Sequence, residues 1–152
     1  MADFFTGPEA AAWGGFISLS SKLSKRLEEN LRRSAGLSHA EYEVLLRLVR
    51  SDDGRLRMQA LAADSVLSHS GTSRLVDRLE GAGFVERADA EEDKRGAYVV
   101  LTGTGREHFM TAAADHTALV HKLFLDHFTK EELSTMASLW TRIEDAPSER
   151  EA

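Results

Sequence analysis

Cysteine is absent from the 152 residues, and proline occurs only twice. Without a thiol the chain has no disulfide, no thiolate metal site, no cysteine nucleophile and no thiol-based peroxide sensing. Long apolar runs are missing too: none approaches the roughly 18 residues that mark a membrane span. The amino terminus lacks a basic segment followed by an apolar core, so a cytoplasmic location and no membrane partner are expected. No Gly-x-Ser-x-Gly elbow, P-loop or dinucleotide-binding glycine pattern occurs, and no enzymatic activity or cofactor is expected. An excess of positive charge is also lacking. Nineteen Lys and Arg stand against 25 Asp and Glu, a net charge of -6. That total counts mildly against a nucleic-acid partner, because such affinity rests on cations that displace counterions from phosphates. It does not describe how charge is distributed over the surface.

What is present is helical periodicity. With 42% hydrophobic residues, the chain can build one compact domain over residues 1–152, or a small domain with a dimerisation arm. From about Pro8 to Ser34, apolar Phe16, Leu19, Leu23, Leu27 and Leu31 recur three or four apart, the spacing of one helix face, and Gly36 ends the run. Ser38-His-Ala-Glu41 is a capping box, in which serine and glutamate satisfy each other's backbone donors, and it opens a helix through Tyr42, Leu45, Leu46 and Val49. Asp52-Asp-Gly54 breaks the chain, Arg55–Arg57 reads as a short strand, and Met58–Asp64 as a short helix. Further on, Thr102 and Gly103 begin a long helix through Phe109, Ala113, Val120 and Leu123. A second capping box, Thr129-Lys-Glu-Glu132, starts a last helix along Leu133, Met136, Trp140 and Ile143.

The centre of the chain carries the most information. Ser68 can cap a helix that runs to Gly83, where a left-handed residue is needed just past the end. Leu75, Val76 and Leu79 bury one side of it, while Ser70, Thr72, Ser73, Arg74 and Arg78 place hydrogen-bonding groups elsewhere. Two β-type runs follow, Phe84–Arg87 and Ala97–Leu101, joined by a polar loop. A helix polar at its start, followed by a hairpin, reads as a DNA recognition helix leading into a wing.

Leu61-Ala62, Ser73-Arg-Leu-Val-Asp-Arg-Leu-Glu80, Gly83-Phe-Val-Glu-Arg87, Asp93-x-Arg95-Gly96 and Val100-Leu-Thr-x-x-Gly105 together resemble the MarR family of winged helix-turn-helix transcriptional regulators. The likeness is close over roughly residues 55–105 and looser in the flanking helices. It implies a mainly α fold with a small β-hairpin wing: a winged helix-turn-helix lobe over 38–102, and dimerisation helices over 8–36 and 103–146. It further implies a homodimer binding double-stranded DNA at a palindromic operator, repressing transcription and released by a small aromatic or phenolic effector. The first and last helices have more apolar surface than a lobe of about fifty residues can cover, which a partner subunit would explain.

Within that scheme Ser68, His69, Ser70, Thr72, Ser73 and Arg74 occupy the first turns of the recognition helix, where side chains reach base edges and backbone N–H groups approach phosphate. Arg78, one turn further on, is expected on phosphate. Arg95 is the first choice to enter the minor groove, oriented by Asp93 through a bidentate ion pair. Arg87 shares that carboxylate or binds phosphate, and Lys94 is a further phosphate ligand. Asp89, Glu91, Glu92 and Asp93 make the loop acidic, which predicts a steep dependence of binding on salt. Trp13, Phe16, His39, Tyr42, Leu46, His108 and Phe109 are the candidates to line an effector cleft, although aromatics at helical spacing are more often core or interface. His108, His116, His121 and His127 are spaced eight, five and six apart, which does not bring two ligands onto one helix face, and no metal is expected. The alternative from another class is a winged-helix interaction module that docks on another regulator without touching DNA. The Asp93/Arg95 pair beside a polar helix start argues against it.

Overall fold

A computed structural model describes residues 4–63, 69–89 and 97–145. Ser68, Asp93, Lys94 and Arg95, named above as DNA ligands, lie outside the described residues, and of His69 only the backbone is described. Among the described residues, six α-helices and three strands follow in the order α1 (Gly7–Ala35), α2 (His39–Arg50), β1 (Arg55–Arg57), α3 (Met58–Ala63), α4 (His69–Gly81), β2 (Val85–Asp89), β3 (Ala97–Leu101), α5 (Gly103–Leu123) and α6 (Lys130–Glu144). The chain divides into two units, Met1–His116 and Thr117–Ala152.

In the first unit the helix boundaries follow from local chemistry. Thr6 precedes α1, and its backbone N–H and its hydroxyl both donate to the Glu9 carboxylate at 2.7 Å. Gly36 closes that helix with φ 68°, a left-handed conformation that costs glycine nothing because it has no β-carbon. At the start of α2 the Ser38 hydroxyl accepts from the Glu41 N–H at 3.2 Å, and the Ser38 N–H donates back to the Glu41 carboxylate at 2.7 Å. This is the expected capping box. After α4, Gly83 turns the chain at φ 76°, and the Phe84 N–H returns to the Leu79 carbonyl at 2.9 Å.

The sheet is antiparallel with β3 in the centre, in the order β1-β3-β2. Leu56 and Arg87 flank Val99 on one rung, and Arg57 and Ala88 flank Tyr98 on the next. The expected Arg55–Arg57 strand therefore joins the hairpin. Phe84, expected to open β2, instead lies in the bend before it. Leu31, Leu45, Leu48, Leu61, Leu75, Val76, Leu79 and Val99 are at most 2% exposed and, with Phe109 and Ala112, form the core beneath the sheet. At roughly 1.5–3 kcal/mol for each large side chain buried, this core is what holds α4 in place.

The start of α5 is fastened to the turn after α4. The Thr102 hydroxyl donates to the Gly83 carbonyl at 2.7 Å and accepts from the Gly105 N–H at 2.9 Å, so one side chain caps a helix and ties down a turn. In the second unit a single helical turn, Leu125–His127, follows α5. The Phe124 and Phe128 rings meet at 5.1 Å. Thr129 and Glu132 form the second capping box: the Glu132 N–H donates to the Thr129 hydroxyl at 3.2 Å, and the Thr129 N–H to the Glu132 carboxylate at 2.8 Å.

Candidate nucleic-acid interface

An α-helix turns once in about 3.6 residues, and the side chains of α4 sort into distinct stripes at that period. Leu75, Val76 and Leu79 face the core, as the sequence predicts, but so does Thr72, which is 1% exposed. The assignment of Thr72 to base edges is corrected: it lies at the centre of the apolar stripe, three residues before Leu75 and four before Val76. Ser70, Arg74 and Asp77 are exposed and lie four and three residues apart, on a stripe that points away from the core. The Arg74 Nε makes a long bond to the Ser70 carbonyl of its own helix, 3.4 Å, and no ion pair engages Arg74 among the described residues.

Arg78, expected on phosphate, and Arg87, expected on phosphate or on the Asp93 carboxylate, are both held by carboxylates. The Arg78 Nε donates to Glu41 Oε1 at 2.8 Å, and the Glu41 side chain is only 11% exposed. Burial opposes the charge on Glu41, but the Ser38 N–H, the Arg78 guanidinium and the Ser38 hydroxyl outweigh it and hold the carboxyl below its usual value. Arg87 contacts Glu80 at 2.6 Å and Asp77 at 2.7 Å. Its backbone N–H also donates to Glu80 Oε1 at 3.1 Å, and a guanidinium N–H reaches the Ser73 carbonyl at 3.5 Å. Burial works against the Arg87 charge, yet the two carboxylates raise its pKa above the usual value. The reason Arg87 faces α4 is strand alternation: it sits two residues from buried Val85 and opposite buried Val99, on the inner face of the sheet. Asp77 and Glu80, and Glu41 beyond its capping role, thus hold arginines in pairings that composition and spacing did not single out. The Val85-x-Arg87 alternation was the available signal for one of these pairings.

The outer face of the sheet carries a different cluster. Arg55 and Arg57 lie over the Tyr98 ring at 4.8 and 5.4 Å, and Arg55 pairs with Asp53 at 2.6 Å.

The residues expected to line an effector cleft divide into separate groups. Tyr42 and Phe109 meet at 5.2 Å and are core residues, 6% and 3% exposed. His39 stacks on Tyr42 at 6.5 Å, and Leu46 packs against the same core. His116 joins this group, 4.7 Å from Tyr42 and 6.3 Å from His39. Burial and the neighbouring His39 lower its pKa, opposed by Glu43, and its Nδ1 is buried without a hydrogen-bond partner among the described residues. His108 goes elsewhere. It stacks on Phe84 at 4.3 Å and donates from Nε2 to the Ala35 carbonyl at 2.8 Å. Trp13 and Phe16 pair with each other at 6.1 Å on the exposed half of α1. Of the other histidines, His121 bonds Asp126 at 3.0 Å. Among the described residues no group of three or more potential ligands could hold a metal ion. No helix of the described residues is long and apolar enough to cross a membrane.

A polar helix presented beside a three-stranded wing sheet on a helical core defines a winged helix-turn-helix protein. Residues 35–96 match the MarR family model. The chain is 32% identical to Sco3205 of Streptomyces coelicolor, a MarR family transcriptional regulator solved in complex with DNA; the match covers 99% of this chain and 96% of that one, with a TM-score of 0.88. It is 27% identical over 133 residues to the transcriptional repressor YetL of Bacillus subtilis, covering 86% of this chain and 79% of that protein. The match to the regulator PrsX of Escherichia coli, also 27% identical, covers 59% of this chain and 55% of that protein. The chain belongs to the MarR family of transcriptional regulators.

Proposed function

We propose that the protein is a sequence-specific, double-stranded-DNA-binding repressor that acts in the cytoplasm as a homodimer on a palindromic operator. The observation that carries this reading is the outward stripe of α4, where Ser70 and Arg74 stand exposed on a helix whose opposite face is locked into the core. A helix held in that way can lay its polar side into a major groove without loss of fold. The DNA complex of Sco3205, similar over nearly the whole chain, supports the same reading. So does the repressor naming of YetL.

Ser68, His69, Ser70, Ser73 and Arg74 are the proposed major-groove residues. Arg95, oriented by Asp93 and flanked by Lys94, is the proposed minor-groove group. The dimer is proposed to form through residues 8–36 and 103–146 and the winged lobe to span 38–102. Exposed Trp13, Phe16 and Ile17 on α1, and Leu139, Trp140 and Ile143 on α6, supply apolar surface for it. A two-fold axis would set two recognition helices against half-sites about one helical turn apart. Release by a small aromatic or phenolic effector completes the proposal.

Selection of binding sites from a random duplex pool tests this directly. The expected result is an enriched, two-fold-symmetric sequence, lost in Arg95→Ala and weakened nearly as much in Asp93→Ala. Ser70→Ala is expected to relax preference at one base pair of each half-site, by about 1–3 kcal/mol. A pool that shows no enrichment contradicts the proposal and favours a protein partner.

A further inference from the structure

Arg78 and Arg87 flank the outward stripe of α4 from opposite sides. Counting about 100° per residue, Ser70, Arg74 and Asp77 define the outward direction. Ser73 and Glu80, the groups facing Arg87, lie to one side of it, and Arg78, facing Glu41, lies to the other. On the wing side one guanidinium, anchored on β2, touches three successive turns of α4 at Ser73, Asp77 and Glu80. On the α2 side the Glu41 carboxylate is shared between the cap of α2, through Ser38 at 2.7 Å, and Arg78 at 2.8 Å. The Arg78 contact joins elements 37 residues apart and the Arg87 contacts join two consecutive ones, and both use the cations that sequence alone would assign to phosphate. Arg74 differs from them in its surroundings. It has no carboxylate partner among the described residues and lies on the exposed stripe.

We infer that Arg78 and Arg87 are positioning residues, clamps that set the angle of the recognition helix against α2 and the wing, and that Arg74 is the α4 cation that contacts DNA. Glu41 is then part of the DNA-binding apparatus without touching DNA. It acts through Arg78, and because its other oxygen caps α2, the start of α2 and the angle of α4 are mechanically joined. This rests on the DNA-binding reading above. A cation that touches phosphate releases counterions and contributes about one unit to the slope of log affinity against log salt. A clamp contributes affinity without adding to that slope.

The test is a salt series with the full chain and its selected duplex, comparing wild type, Arg74→Gln, Arg78→Gln, Glu41→Gln and the Arg78→Gln/Glu41→Gln double variant. Glutamine at 41 keeps an oxygen for Ser38 and replaces the oxygen that accepts from Arg78 with an uncharged amide donor, and Arg78 is exposed, so both variants retain the core; thermal melting of the free proteins verifies it. Arg74→Gln is expected to lower the slope by about one. Arg78→Gln and Glu41→Gln are each expected to weaken binding at unchanged slope, by about five- to tenfold, a typical coupling between contacting residues. The double variant is expected to bind no more weakly than the weaker single variant. A drop of about one in the slope for Arg78→Gln, with the same loss in the Glu41→Gln background, overturns the inference while leaving the DNA-binding reading intact. So does an Arg78→Gln variant that binds as tightly as wild type. A wild-type protein that binds no duplex removes both.

Discussion

A β-carbon on Gly105 would collide with the backbone carbonyl of Phe84. The close approach lets α5 start directly against the turn between α4 and β2, where the Thr102 hydroxyl also bonds. Gly105→Ala is therefore expected to destabilise the protein by about 1–3 kcal/mol, the usual range for overpacking, read as a lower denaturant midpoint. His116 carries a pH prediction. Its folded pKa lies below 6.5, because burial and His39 disfavour the charged ring more than Glu43 favours it. A group whose folded pKa is depressed gives its full stabilisation above the unfolded value, and loses it as pH falls below about 6.5 through the folded value. His116→Phe is expected to flatten the fall in melting temperature between pH 7 and pH 5; an unchanged pH profile contradicts the assignment. At this scale the sequence was a partial guide. Thr72 is chemically suited to base contact, yet helical phase puts it among Leu75, Val76 and Leu79. The same phase argument, applied to each residue of α4, would have separated Thr72 from Ser70. For Arg87, expected on the Asp93 carboxylate or on phosphate, Val85 two residues earlier fixes the inner face, where Glu80 and Asp77 hold it.

Elements were more legible than individual contacts, because caps and breaks are local. Both capping boxes form where Ser38/Glu41 and Thr129/Glu132 stand in the sequence, and Gly36 and Gly83 take the left-handed conformations that their positions demand. The short Arg55–Arg57 strand also forms, and it joins the hairpin by pairing with β3. What stayed hidden was the fastening between elements: Glu41 to Arg78, Glu28 to the His39 N–H at 2.6 Å, and His108 to Ala35 and Phe84. These join residues tens of positions apart or use backbone atoms, and neither leaves a periodic trace. Ser38→Ala tests the cap. The loss of an N-cap hydroxyl costs about 1 kcal/mol, and because the same capping box steadies Glu41, a weaker affinity for DNA should accompany the lower denaturant midpoint.

For the whole molecule, the uneven placement of apolar surface is the main physical fact. The core beneath the wing sheet is closed, while Trp13 is 55% exposed and Ile143 is 66% exposed. Subunit association through these helices would remove that surface from water. Light scattering is expected to give about twice the 16.8 kDa chain mass, and Ile143→Glu to shift the protein toward monomer; a monomeric wild type at micromolar concentration contradicts the dimer. Overall charge was a poor guide at this scale. A net charge of -6 coexists with an α4 whose outward stripe carries Arg74, because acids such as Glu41, Asp77 and Glu80 are engaged in holding other arginines. Sequence-specific DNA binding is the central claim, and titration of the purified protein against the DNA flanking its own gene and against random duplex, over a salt series, tests it most directly. The account predicts a dimer that prefers the flanking fragment, with affinity falling steeply as salt rises. Equal affinity for the two duplexes, or no binding at low salt, would contradict it.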